Sequence, residues 1–96
     1  MTISPEQCRA GRALLDLDQA SLALRSNVSR NTVVDFEKGK RVPNTNNLKA
    51  IRSALEGAGV EFIPENGGGA GVRLKKKATA ASEGLDPEEL NASNDD

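Results

Sequence analysis

The stretch Ser29-Arg30-Asn31-Thr32, followed by Asp35, sets a cap residue, a guanidinium, a carboxamide, a hydroxyl and a carboxylate within two turns of one short helix. None of these is an activated nucleophile; each is a hydrogen-bonding group of defined geometry. An arginine fork can hold guanine O6 and N7 together, a carboxamide can meet adenine N6 and N7, and threonine offers a hydroxyl and a methyl. Capping by Ser29 leaves the first N–H groups of the helix free, which favours a phosphate. Just past the helix, Lys38, Lys40 and Arg41 bring three cations, with Lys49 and Arg52 further on. Such charges fix position on a polyanion and supply salt-dependent affinity. The chemistry open to this set is recognition of base edges flanked by phosphates, with no bond made or broken.

Composition removes most alternatives. The 96 residues include no His, Trp or Tyr and a single Cys, which takes away most acid–base, metal-ligand and nucleophile sets. No catalytic site, metal or cofactor is expected. A domain of this length buries about 60 to 65% of its unfolded surface, so its core is modest and a large catalytic cavity is not expected. Cys8, in an expected helix, has no partner for an internal disulfide and reads as a small semi-buried hydrophobe suited to a reducing compartment. No apolar run reaches the roughly 18 to 20 residues of a membrane span, and the N-terminus lacks the layout of a signal peptide. The expectation is a bacterial cytoplasmic protein, on the nucleoid when bound, with no membrane partner.

The formal net charge of −1 is an average over unlike segments. Residues 1–77 hold all 13 Lys and Arg against 8 acids, whereas residues 78–96 hold 6 acids and no base. The body is basic and the tail acidic, so the overall charge misleads about what the folded surface prefers.

The elements that position these groups follow from caps and periodicity. Ser4 as N-cap, Pro5 at the first position and Gln7 completing a capping box open a helix that runs to about Leu15, with Cys8, Gly11, Leu14 and Leu15 on its inner face. Asp18 caps a second helix over about Gln19–Arg25, whose Leu22 and Ala23 point inward. Asn27 tolerates a left-handed backbone and makes the tight turn. Ser29 caps a third helix, Arg30–Lys38, with Val33 and Phe36 inside and Gly39 as terminator. Leu48, Ile51 and Leu55 stripe a fourth helix over about Asn46–Gly57, ended by Gly57 and Gly59.

Beyond it the period falls to two. Val60–Ile63 and Val72–Leu74 read as a hairpin across the Gly-rich loop 64–71. That loop lacks the following helix and Lys-Ser/Thr pair of a phosphate-binding loop, so a nucleotide site is not proposed there. The chain from Lys75 onward is expected to be a disordered acidic tail, with Leu85 and Leu90 its only large apolar residues. The expected fold is mainly α: a helix-turn-helix domain over 1–59, a hairpin over 60–74 and a tail over 75–96.

Two short helices joined by a tight turn, the second opening on polar residues, form the layout that sets a recognition helix in the major groove of double-stranded DNA. Any one of these features alone reads more simply as an ordinary helix start or a solvated face. Their order along the chain decides the reading.

The run Leu17-Asp18-Gln19-Ala20-Ser21-Leu22-Ala23, then Val28-Ser29, Thr32-Val33, Phe36-Glu37-Lys38-Gly39, Arg41, Pro43 and Leu48, closely resembles the lambda-repressor-like (Xre, Cro/C1-type) helix-turn-helix family over about residues 5–58. The hairpin segment also resembles the ending of many short bacterial members. The resemblance implies a domain of four to five helices that works as a dimer on a two-fold operator. It matches Gln19 to a backbone-contacting glutamine, Arg30 and Asn31 to base-reading positions, Thr32 to a position near the backbone, and Asp35 to a more C-terminal base-reading position. Lys40 and Arg41 match the phosphate-contacting loop, and Arg12 with Glu37 a structural ion pair between the first and third helices.

Three departures from the family pattern bear on binding. Asp18 stands where Ser or Thr is preferred; it caps equally well, but its charge would face a phosphate. Asn27 replaces the usual Gly. Asp35 can accept from cytosine N4, or it can pair with Arg30 or Lys38 and discourage wrong sequences. Leu24 and Val34 are expected on the surface.

The function expected is a sequence-specific regulator, a repressor, that binds a palindromic operator as a homodimer. Val60, Phe62, Ile63, Val72 and Leu74 of the hairpin are the expected dimer element, because an isolated two-stranded ribbon is marginal and its edges invite pairing. The alternative that keeps the hairpin packed on the fourth helix of a monomer stays open. So does a rival function, an antitoxin or antiactivator whose acidic tail binds a protein partner.

Overall fold

Ser4 opens the first helix by the reciprocal contacts of a capping box. Its Oγ accepts the Gln7 N–H at 3.0 Å and its own N–H donates to Gln7 Oε1 at 2.9 Å. The computed structural model describes residues 2–75, so the expected tail, apart from Lys75, lies outside the described residues. Within them α1 (Pro5–Leu15), α2 (Gln19–Ser26), α3 (Arg30–Glu37) and α4 (Thr45–Ala58) precede a two-stranded antiparallel sheet of β1 (Val60–Ile63) and β2 (Gly71–Leu74). The expected mainly helical fold with a terminal hairpin is the one found.

Each helix ends where the sequence places a punctuating residue. Asp18 Oδ1 accepts the Ser21 N–H at 2.7 Å to start α2, and Asn27, at φ 58°, closes it in a left-handed turn. Ser29 Oγ accepts the Thr32 N–H at 3.1 Å to start α3, and Gly39, at φ 72°, turns the chain away after it. Only two non-glycine residues among those described take positive φ, Asp16 and Asn27, both of the types that tolerate it.

The core is one cluster. Leu22, Val33, Ile51, Leu55, Val60 and Cys8 have essentially no exposed surface, and Ile3, Phe36, Leu48 and Phe62 are nearly as buried. Burying one such aliphatic or aromatic side chain is worth about 1.5–3 kcal/mol, so α2, set between α3 and α4, is held by Leu22 and Ala23 rather than by its eight residues of helix propensity.

Several boundaries differ from expectation. Helix α4 begins at Thr45, capped by Asn44, and passes through Gly57 to Ala58, because Ile51 and Leu55 hold its inner stripe against the core past the glycine. Helix α2 extends one residue to Ser26, whose hydroxyl donates to the Leu22 carbonyl at 2.6 Å. Helix α3 stops at Glu37, leaving Lys38 as its cap. Leu14, expected inside, is 42% exposed, and Leu15 is the residue packed on the core. Val34, expected outside, is half-buried, while Leu24 is 83% exposed as expected.

The register Val60↔Leu74, Phe62↔Val72 puts these four side chains on one face of the sheet. That face lies over α1 and α4, so Val60 and Phe62 belong to the core of the single chain and cannot face a second copy. This corrects their assignment to a dimer surface. Gln7 of α1, buried, fastens the turn end of the ribbon by donating through Nε2 to the carbonyls of Gly71 at 2.8 Å and Ile63 at 3.3 Å.

Candidate nucleic-acid interface

Helix α3 is held from beneath so that its first turn stays outside. Val33 and Phe36 sit in the core, while Arg30 and Asn31 are exposed on the opposite side. Ser29 and Thr32 share a hydroxyl–hydroxyl hydrogen bond of 2.8 Å beside the cap. The N–H groups of Arg30 and Asn31 precede the first amides bonded to the Ser29 cap, those of Thr32 and Val33, and donate to no partner among the described residues. Of the DNA-contacting residues expected from sequence, Ser29, Arg30, Asn31 and Thr32 therefore lie together at the start of α3, Asp35 lies a turn further on, and Lys38, Lys40 and Arg41 follow its end.

The orientation of α3 is fixed by a buried cluster around Glu37. Arg12 Nε donates to Glu37 Oε2 and Arg12 Nη2 to Oε1, both at 2.6 Å, the expected ion pair in its two-pronged form. Gln19 Nε2 donates to Oε1 at 3.0 Å and Cys8 Sγ to Oε2 at 3.1 Å, and Arg9 Nη1 donates to the Glu37 carbonyl oxygen. One carboxylate thus ties α1 and α2 to the end of α3. Burial alone would raise the Glu37 pKa, but the hydrogen bonds from Arg12, Gln19 and Cys8 outweigh it and hold it below the ordinary value. The same contacts, burial first and the Glu37 bond second, push the Cys8 thiol well up, so it remains a protonated donor. Sequence alone reads Cys8 as a plain hydrophobe and misses this bond.

Gln19 is expected on the DNA backbone, and the structure commits one of its amide protons to Glu37 instead. Its second amide proton and Oε1 have no partner among the described residues and are left for a backbone contact. Asp18, one residue earlier, is exposed, and its pKa is lowered mainly by the Ser21 N–H, with Arg12 and Arg30 contributing. Its negative charge therefore stands near the recognition helix at neutral pH. Asp18→Asn keeps the cap and removes the charge, so its affinity for DNA is expected to rise about threefold at 150 mM salt, with the gain shrinking as salt is added. A filter-binding titration of both proteins across salt checks it; unchanged affinity at low salt would place Asp18 away from any phosphate.

Asp35 makes no ion pair among the described residues, so the expected pairing with Arg30 or Lys38 is absent from the unbound chain. Its carbonyl accepts from the Lys40 N–H at 2.9 Å and the Arg41 N–H at 3.3 Å, which folds the cationic loop back beside α3. A cleft of about 450 Å³ results, lined by Ser29, Asn31, Thr32 and Asp35 on one wall and by Arg41, Val42, Pro43, Asn44 and Asn47 on the other. Lys38, Lys40 and Arg41 are all exposed along the loop. Asn44, Asn47 and Val42 are the part of this surface that sequence reasoning left out. The signal was available: a polar run, Asn44-Thr45-Asn46-Asn47, directly after Pro43 marks a helix start facing the same way as the loop.

A capped helix pair with a tight left-handed turn, presenting a polar helix start beside a cationic loop, defines a helix-turn-helix DNA-binding domain. A helix-turn-helix family model matches residues 9–62, more than half the chain, and the protein belongs to this Xre/lambda-repressor-like family. It is therefore a DNA-binding transcription regulator in the general sense, from a family that is typically non-enzymatic. A search of curated proteins found no significant match. No helix among the described residues is long and apolar enough to cross a membrane.

Proposed function

We propose that this protein is a sequence-specific repressor acting in the bacterial cytoplasm that binds a palindromic operator as a homodimer. The observation that carries the reading is the cleft shared by Asn31, Asp35 and Arg41, with the exposed Arg30 next to it at the first position of α3. One eight-residue helix reaches too few base pairs for useful selectivity, and two copies about 34 Å apart supply it.

The hairpin offers the joining element in a reduced form. Leu74 shares the inner face with Val60 yet is 55% exposed, and Leu14 on α1 is exposed as well, so β2 overhangs the helices. In a two-stranded sheet each strand also keeps one edge without a strand partner. The dimer surface is accordingly assigned to the exposed Leu74, without Val60, Phe62 and Val72, which pack on the core of the single chain, and without Ile63, which lies on the opposite face of the ribbon.

Selection of bound fragments from a random DNA library at about 150 mM salt tests the reading. A motif with two-fold symmetry is expected. Sedimentation at micromolar concentration is expected to give a dimer that Leu74→Glu converts to a monomer with its fold intact. Failure to enrich any sequence would favour the second reading, an antitoxin or antiactivator, which rests on the six acids and no bases of residues 78–96.

A further inference from the structure

A second groove lies beside the DNA-facing cleft and shares its Val42–Pro43 wall. It measures about 130 Å³ and is bounded by Ile3, Val42, Pro43 and Leu48, with Lys49 and Arg52 on its rim. Ile3 and Leu48 form a buried apolar floor, while Val42 stands 75% exposed above it. Arg52 donates to Glu56 at 3.1 Å, and Lys49 is exposed. A small apolar floor under a cationic rim fits a peptide that alternates large apolar and acidic residues.

The chain carries one such segment. Leu85-Asp86-Pro87-Glu88-Glu89-Leu90 holds the only large apolar residues of the tail, with three carboxylates between them and no base anywhere in residues 78–96. The starting point is fixed: the Lys75 N–H donates to the Gly59 carbonyl at 2.8 Å, at the C-terminal end of α4. Along α4 the groove residues Thr45 to Arg52 lie about 10 to 21 Å from Gly59, at about 1.5 Å of rise per residue. The ten residues from Lys75 to Leu85 can span up to about 33–36 Å, so the segment reaches the groove within its own chain.

We propose that Leu85–Leu90 docks in the groove formed by Ile3, Val42, Pro43 and Leu48, with its carboxylates on the Lys49 side, and thereby competes with DNA for the adjoining face. Docking as such requires only the groove and the segment. Its regulatory consequence rests on the DNA-binding reading above. Occupying the Val42–Pro43 wall would place three negative charges beside Arg41 and the Asn44 helix start, where a phosphate must come. The tail would then set a threshold that only a strong operator overcomes, because an intramolecular competitor acts at a high local concentration.

A paramagnetic label at Ser93→Cys in the full chain tests the docking without DNA, since Cys8 is buried and resists labelling. Broadening of amide signals is expected at Val42, Leu48 and Lys49, and its loss on adding Leu85→Ser with Leu90→Ser. Absence of broadening there, or broadening that survives both substitutions, overturns the proposal. Mixing labelled unenriched chain with unlabelled ¹⁵N chain separates occupants: broadening in the mixture at full strength means a second copy's tail, which also overturns docking within one chain. On selected DNA, neutralising Asp86, Glu88 and Glu89 to their amides is expected to tighten binding about fivefold to tenfold. Equal affinity in that comparison overturns the competition. If neither protein binds DNA, the regulator reading fails while the label result still decides the docking.

Discussion

Glu37→Gln is expected to lower the unfolding free energy by about 3 kcal/mol, toward the lower end of the range for breaking a buried ion pair. The substitution keeps the shape of the side chain but removes its charge, leaving the Arg12 guanidinium, only 19% exposed, without a counterion. Gln can still accept from Gln19 or Cys8, so the loss is less than full truncation would give. For a domain of about 75 residues this corresponds to a fall in Tm of about 12–24 °C, measured by calorimetry or circular dichroism. Replacing both Arg12 and Glu37 by Met is expected to recover most of that loss, because removing a pair whole leaves no stranded charge. If the double variant is no better than Glu37→Gln, the damage comes from packing around residue 37 and not from Arg12.

The same contacts set an acid limit on the fold. The folded-state pKa of Glu37 is depressed below its ordinary value of 4.5, so its contribution is fully present above pH 4.5 and is lost as pH falls through the depressed value. Stability measured from pH 6 downward should therefore decline below about 4.5, and the decline should be shallower in Glu37→Gln. An identical slope in both proteins would assign acid unfolding to other carboxylates.

Much of this arrangement was legible in the sequence, and the reasons are local. Caps and left-handed turns depend on single residues and their immediate neighbours, so Ser4, Asp18, Asn27, Ser29 and Gly39 could be placed from type and spacing alone. Stripes at spacings of three and four gave Leu48, Ile51 and Leu55 their inner positions. What could not be read depends on contacts between distant segments. The Cys8 thiol on Glu37 spans 29 positions, and the Gln7 amide on Gly71 spans 64. The hairpin misassignment has the same origin: alternation tells which side chains share a face, but not whether that face meets α4 of the same chain or another molecule. Leu14 and Leu15 could not be ranked by period, since both lie near the inner face and only the position of the sheet decides which is covered.

Arg30→Ala carries the largest expected effect on DNA. Truncation removes a guanidinium that is exposed at the first position of α3, makes no ion pair among the described residues, and supports no part of the core. Folding should be unchanged, which thermal unfolding would verify. A lost bidentate contact to guanine costs about 1–3 kcal/mol, or about five- to 150-fold in affinity for one half-site. In a dimer both half-sites lose it, so the ratio is squared. The diagnostic readout is positional: in a library selection the preference should relax at one base pair per half-site while the rest of the motif persists. Lys40→Ala gives the contrasting result, because a phosphate contact carries no sequence information. It should weaken all sequences about equally and reduce the salt slope by about one per protomer, leaving the motif sharp. A uniform loss for Arg30→Ala with an unrelaxed motif would move Arg30 to the phosphate-binding set and transfer base reading to Asn31 and Asp35. The two substitutions lie at opposite ends of α3, so comparing them separates the groove-facing end of the helix from the loop that anchors it.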